Sequence, residues 1–241
     1  MKIAIIGTGN LGKSIANGLI INNAITTLYL TKRNLDELSE FKGYKNVSLS
    51  SDNIKAVKNS DILIIAVQPA HLEKILVSIK PFLNENHVII STITGFSISK
   101  IENIIGEDNF IIRAMPNTAI AVGKSMTCLC SNAKGENRIK VAISIFNRLG
   151  NSIVIPEGQM QAATVVCASG IAFWMRLIRA TTQAAIQLGF DAKEAQELAM
   201  YTSEGAANLL ITNGNHPEEE IDKVTTPMGC TIEGLNEMEH K

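Results

Sequence analysis

Charge of one sign is what this chain of 241 residues lacks: 22 Lys and Arg stand against 23 Asp and Glu, leaving a formal net charge of −1. Without a basic stripe to neutralise phosphates, a nucleic-acid partner is not expected. Cysteine patterning is missing too. Cys128, Cys130, Cys167 and Cys230 make no CxxC pair, and no histidine stands at ligand spacing from them. No metal site or disulfide framework is expected, and the four thiols read as small hydrophobes. His71, His87, His216 and His240 are scattered without an obvious carboxylate or serine partner, so none is assigned a catalytic role. The apolar run Ala162 to Leu188 carries Arg176 and Arg179 in its middle, which reads as a buried or interface helix and not a membrane span. The first apolar run, Ile3 to Ile6, breaks at once on glycine, unlike a leader peptide. The expected location is the cytoplasm, with no membrane partner. There is no internal repeat, low-complexity tract or charge block.

What is present is concentrated in the first dozen residues. After Ile3 to Ile6, Gly7, Gly9 and Gly12 stand at GxGxxG spacing, and a helical pattern follows from Lys13 to Ile21. A buried strand, a tight turn and a helix start make this spacing meaningful. Gly7 allows the turn, Gly9 lets the backbone approach a pyrophosphate, and Gly12 lets the helix pack on the strand. The helix start, Gly7-Thr8-Gly9-Asn10-Leu11-Gly12, is then a dinucleotide site. In such folds the tip of the second strand meets the adenosine ribose. Here it reads Thr31-Lys32-Arg33-Asn34, with no acid to bond both hydroxyls, so NADPH is expected over NADH.

Strand and helix signals alternate through about residue 115. Apolar runs at Thr27 to Thr31, Val47 to Leu49, Asp61 to Val67, His87 to Thr92 and Phe110 to Arg113 are separated by helical stretches, among them Asp52 to Val57 capped by Asp52, Ala70 to Ile79 opened by Pro69, and Ser97 to Ile104 capped by Ser97. The expected fold is α/β, a Rossmann-type doubly wound parallel sheet, whose ligands sit beyond the carboxyl ends of the strands. A strand over Ser125 to Cys130, a helix over Lys134 to Leu149 and a last strand over Ser152 to Ile155 continue the pattern. After Pro156 strand signals vanish and Ala-rich helices take over. Residues 1–155 therefore read as the dinucleotide-binding domain and 156–241 as an all-helical dimerisation and substrate domain. About 85 helical residues bury little core alone, so a homodimer is expected.

One stretch of the helical part does not read as packing: Val224-Thr-Thr-Pro-Met-Gly-Cys-Thr-Ile-Glu-Gly-Leu235. Pro227 and Gly229 bend the chain before a helical pattern resumes at Thr231. A loop feeding a helix start offers several N–H groups to a carboxylate, and Thr231 adds a hydroxyl; the same residues also suit a simple helix start.

Four segments together resemble the pyrroline-5-carboxylate reductase family over nearly the whole length: the glycine turn, Ala66-Val67-Gln68-Pro69, Arg113-Ala-Met115-Pro116-Asn117-Thr118 and Thr225 to Leu235. The resemblance implies a Rossmann domain that binds NADPH or NADH and a helical domain interlocked with its mate, often in larger rings of dimers. It implies that Asn53, Val67 to Pro69, Thr94, Gly95 and Met115 to Asn117 line the cofactor. It further implies that Thr226, Met228, Gly229, Cys230 and Thr231 hold a cyclic imino acid, with amides on the carboxylate and Thr231 on the ring nitrogen. The activity implied is hydride transfer to the C=N bond of 1-pyrroline-5-carboxylate, giving L-proline. The chain departs from the family pattern at Gln68, Ile171, Phe173 and Met228.

The rival readings are a reductase of another cyclic imino acid, a nucleotide-binding relative without turnover, and a β-hydroxyacid dehydrogenase. The last needs a lysine on the first long helix after the boundary, and there is none between Lys140 and Lys193.

Overall fold

The structure is a computed structural model that describes residues 1–23 and 25–240. The chain divides into two compact units, Met1–Ile171 and Ala172–Lys241. The first is built on β1 (Lys2–Ile6), α1 (Asn10–Ile21), β2 (Thr27–Thr31), β3 (Val47–Ser50), α2 (Asn53–Lys58), β4 (Ile62–Ile65), α3 (Pro69–Ile79), β5 (Val88–Ser91), α4 (Ile98–Ile105), β6 (Phe110–Met115), β7 (Ser125–Ser131), α5 (Ile139–Phe146) and β8 (Gly150–Val154). A 3₁₀ stretch, Leu35–Phe41, joins β2 to β3.

The strands form one sheet in the order β3-β2-β1-β4-β5-β6-β7-β8. Strand order reverses beside β1, between β2 and β4, and a crevice opens there at the carboxyl ends. Every pairing is parallel except β6 with β7. The reason is local: residues 116–124 hold only the short 3₁₀ turn Thr118–Val122, too little chain for a crossover back to the starting edge.

Alternation along the buried strands splits the core into two layers. Ile3 and Ile5 of β1 pack with Ile15 and Leu19 of α1 and Phe146 of α5 on one face. On the other, Ala4 and Ile6 pack with Leu72, Leu76 and Ile79 of α3 and Ile101 of α4. Helix starts follow the expected caps. Asp52 accepts from the amides of Ile54 and Lys55 at 2.8 and 3.2 Å, and Ser97 accepts from Lys100 at 3.3 Å.

The compact unit that holds the sheet runs past residue 155. Met160 and Ala163 of α6 (Met160–Ala163) are buried in the same core, and Asn117 Nδ2 donates to the Cys167 carbonyl at 3.0 Å. A π-helical turn, Thr164–Ser169, then leads into α7 (Gly170–Gln187), which carries the chain into the second unit.

That unit continues with α8 (Ala192–Asn213), α9 (Pro217–Val224) and α10 (Cys230–Glu239). Asp191 caps α8 through Lys193 and Glu194, and Gly214 ends it in the left-handed region at φ 68. Ala195 and Ala199 are its buried apolar side chains, while Phe173, Trp174, Leu177, Leu209 and Ile211 are exposed. Among the described residues one helical stretch, Glu157–Gln187, is long and apolar enough to cross a membrane by length and composition.

Candidate functional site

The glycine turn is held by backbone geometry that other residues resist. Gly7 has φ +87, and a Cβ there would stand 2.2 Å from Val67 Cγ1; a Cβ on Gly12 would meet the Gly7 carbonyl oxygen at 2.9 Å. The turn also consumes some of its own donors. Thr8 N–H donates to the Thr31 carbonyl and Gly9 N–H to the Gly7 carbonyl, both at 2.8 Å. Thr31 is buried, and its hydroxyl accepts from Gly7 N–H at 3.3 Å, tying β2 to the turn. The amides of Asn10, Leu11 and Gly12 have no acceptor among the described residues, and Gly9 caps α1 with no side chain. Free donors and the helix dipole therefore coincide at the start of a 12-residue helix.

A cavity of about 640 Å³ opens beside this turn. It is lined by Ile6 to Gly9, Thr31 to Asn34, Ala66 to Gln68, Asn53, and also Glu37, Ser51, His71, Lys74 and Ile75. A second, of about 360 Å³, is lined by Gly9 to Leu11, Ala66 to Pro69 and Thr92 to Thr94. Most of the expected cofactor residues are thus brought to one crevice. Gly12, Gly95, Met115, Pro116 and Asn117 line neither cavity. Gly12 packs under the turn, Met115 Sδ accepts from Thr94 Oγ1 at 3.7 Å, and Asn117 caps the following turn by accepting from Ala119 at 3.0 Å.

Sequence reasoning missed Glu37, His71, Lys74, Ser51 and Ile75. The strand tip itself carries no acid, yet Glu37 reaches the cavity from the 3₁₀ stretch and pairs with Lys32 at 2.6 Å. The hydrogen bond and charge of Lys32 lower the carboxyl pKa of Glu37. The available signal was the Asx turn at Asn34, whose Oδ1 accepts from Asp36 at 3.1 Å and folds the chain back at that point.

In the second unit the segment Thr226 to Thr231 forms a tight turn, with Gly229 N–H donating to the Thr226 carbonyl at 3.0 Å. Met228 stands in the left-handed region at φ 57, rare for a residue with a side chain, and the residue is 96% exposed. Gly229 caps α10 without a side chain, so no side chain competes for the first amides of the helix. Thr231 Oγ1 donates to the Val224 carbonyl at 3.2 Å. With its proton engaged there, the hydroxyl oxygen faces any further partner as an acceptor.

The thiols are not part of either region except for Cys230, which is exposed. Burial pushes the Cys128 and Cys130 thiols up to about 11, so neither ionises near neutrality. Among the described residues no cluster of three or more His, Cys, Asp or Glu side chains is placed to hold a metal.

A doubly wound sheet with a glycine turn, free helix-start amides and a crevice at its switch point defines a Rossmann-type dinucleotide-binding protein. Residues 2–95 match the family described as NADP oxidoreductase coenzyme F420-dependent, and residues 157–241 match that described as pyrroline-5-carboxylate reductase dimerisation. Pyrroline-5-carboxylate reductase 2 of Dictyostelium discoideum is 40% identical over 99% of this chain and 86% of its own. Pyrroline-5-carboxylate reductase 1 of the same organism is 46% identical over 99% of this chain, which spans 46% of that longer relative. The crystal structure of Plasmodium falciparum pyrroline carboxylate reductase with NADP bound superposes with a TM-score of 0.87 at 27% identity, covering 99% of this chain and 89% of that one. The chain belongs to the pyrroline-5-carboxylate reductase family.

Proposed function

We propose that this chain reduces the C=N bond of 1-pyrroline-5-carboxylate to L-proline with NADPH. The observation that carries the reading is the crevice beside β1: free amides of Asn10 and Leu11 at one end and the cations Lys32 and Arg33 at the other, in a member of this family. The residues present fit a dinucleotide. The amides of Asn10 and Leu11 take the pyrophosphate, Arg33 and Lys32 face the adenosine end, and Asn53 and Ala66 to Pro69 form walls. Thr94, Gly95 and Met115 to Asn117 complete the cofactor side in this reading. The NADP in the Plasmodium relative supports the same assignment.

NADPH, when bound, supplies the hydride. The protein's part is to orient and to exclude water. The turn Thr226 to Thr231 takes the imino acid, its helix-start amides on the carboxylate. Thr231 Oγ1, whose proton is directed to Val224, accepts from the protonated ring nitrogen and holds the ring plane. A protonated imine is already electrophilic, so alignment carries the rate and no strong general acid is required. Thr231 is accordingly an orienting group, consistent with the absence of a His, Asp or Lys cluster in the sequence reading.

The functional division lies at 155/156, supported by the end of β8 at Val154 and by the dimerisation match from residue 157. We assign the exposed apolar faces of α7 and α8 to a second copy, in a homodimer that can build rings of dimers in the cytoplasm. Arg176 and Arg179 in the middle of the long helix support a protein partner over a membrane.

The test is NADPH oxidation with pyrroline-5-carboxylate and its six-membered analogue side by side. Turnover on the five-membered ring supports the reading. Turnover on the larger ring alone replaces the substrate, and NADPH binding without turnover on either replaces the activity.

A further inference from the structure

The cavity beside β1 and β2 contains a negative charge that the strand tip does not encode. Lys32, Arg33, Glu37, His71 and Lys74 are the titratable side chains that line it, and Glu37 is the one carboxylate among them. It arrives from the 3₁₀ stretch Leu35–Phe41, which the Asn34 cap turns back over the end of β2. Its Oε2 stands 2.6 Å from Lys32 Nζ. Glu40, three residues on, pairs with Lys13 at 2.7 Å and does not line the cavity. Glu37 and Glu40 thus have separate duties.

We infer that Glu37 is a cofactor-specificity residue, which holds Lys32 away from a ribose 2′-phosphate and offers an acceptor to a free ribose 2′-hydroxyl, so that the site takes NADH alongside NADPH. This rests on the nucleotide reading of the crevice. A 2′-phosphate carries close to two negative charges. Next to Glu37 it meets repulsion and one cation already engaged, leaving Arg33 as the free partner at the strand tip. A 2′-hydroxyl has no such conflict, because a carboxylate at the ribose accepts from it. The pair does not exclude the phosphate. Lys32 and Glu37 side chains are 22% and 54% exposed, and an ion pair in that setting is weak enough for a phosphate to replace. Glu37 therefore narrows the preference for NADPH without inverting it.

The test is a titration of the full chain with NADPH and with NADH, followed by nicotinamide fluorescence, in wild type, Glu37→Gln and Glu40→Gln. Glu37→Gln keeps the length and an acceptor oxygen, removes the charge and releases Lys32. It should tighten NADPH by about three- to tenfold while NADH changes by less than about twofold, and the gain should shrink as salt is raised. Glu40→Gln removes the same charge outside the cavity and should move neither. An unchanged NADPH-to-NADH ratio in Glu37→Gln, or an equal shift in Glu40→Gln, overturns the role of Glu37 while the crevice remains a nucleotide site. Failure of wild type to bind either nucleotide overturns the nucleotide reading, and this inference with it.

Discussion

Arg113 and Glu157, 44 residues apart in the chain, meet in an ion pair, with Arg113 Nη1 donating to Glu157 Oε1 at 2.8 Å. The same oxygen accepts the Ile98 amide at 2.7 Å, so one carboxylate joins β6, the first turn of α4 and the segment that follows β8. The Arg113 side chain is 8% exposed, and its Nε is buried with no partner. Glu157 is therefore the main compensation for a buried charge. Glu157→Ala should lower the unfolding free energy by roughly 2–4 kcal/mol, since it strands that charge, whereas Glu157→Gln, which keeps an acceptor, should cost less. Urea denaturation of the two variants decides the point. Equal losses would mean that the charge matters and the retained acceptor does not.

Thr231 touches no cofactor residue in this reading, so its loss should separate rate from cofactor affinity. Thr231→Ala should reduce kcat/KM for pyrroline-5-carboxylate by roughly 10–100-fold, the scale of one hydrogen bond to a charged group, with NADPH affinity unchanged. Thr231→Ser keeps the hydroxyl and should recover most of the rate. Parallel loss of NADPH binding would sink the orienting role.

Arg33 lines the cavity without an ion-pair partner among the described residues, unlike Lys32. Arg33→Ala should weaken NADPH by about tenfold and NADH by much less, because only the phosphate needs the guanidinium. Dissociation constants for both nucleotides at one ionic strength test this. Equal weakening would place Arg33 elsewhere than at the 2′-phosphate.

Acid should weaken the turn between α8 and α9 through Glu220. Glu220 accepts from Lys223, Asn215 and Asn213 at 2.7, 2.7 and 3.2 Å, and these bonds pull its carboxyl down to about 2 from 4.5. A depressed carboxyl pKa stabilises the folded state fully above the unfolded value and loses that contribution as pH falls through the folded one. The Tm difference between wild type and Glu220→Gln should therefore be constant above about pH 5 and shrink between about pH 4.5 and about pH 2. A difference independent of pH over that window would show that hydrogen-bond geometry, not ionisation, is what Glu220 contributes.

The sheet was legible because its signals are local. Ile3 to Ile6 and Ile62 to Ile65 are continuous apolar runs buried on both faces, Gly7 must take φ +87, and Asp52 and Ser97 cap the helices that follow them. The crevice was legible for the same reason: in a parallel sheet, residues at successive strand ends share one edge, so Gly7 to Leu11, Thr31 to Asn34, Ala66 to Pro69 and Thr94 could be grouped from the alternation alone. Asn117, just past the end of β6, lines neither cavity; its side chain caps the following turn and bonds the Cys167 carbonyl.

By itself, the amino-acid sequence determined the elements, their order and the nucleotide-binding turn, because backbone conformation and burial period are read over a few neighbouring residues. Tertiary structure alone decided the meeting of Arg113 with Glu157, the acceptor-only face of Thr231, and the presence of Glu37, His71 and Lys74 in the crevice. These depend on which side chains the folded chain brings within about 3 Å, a distance set by packing across the molecule and carried by no local pattern.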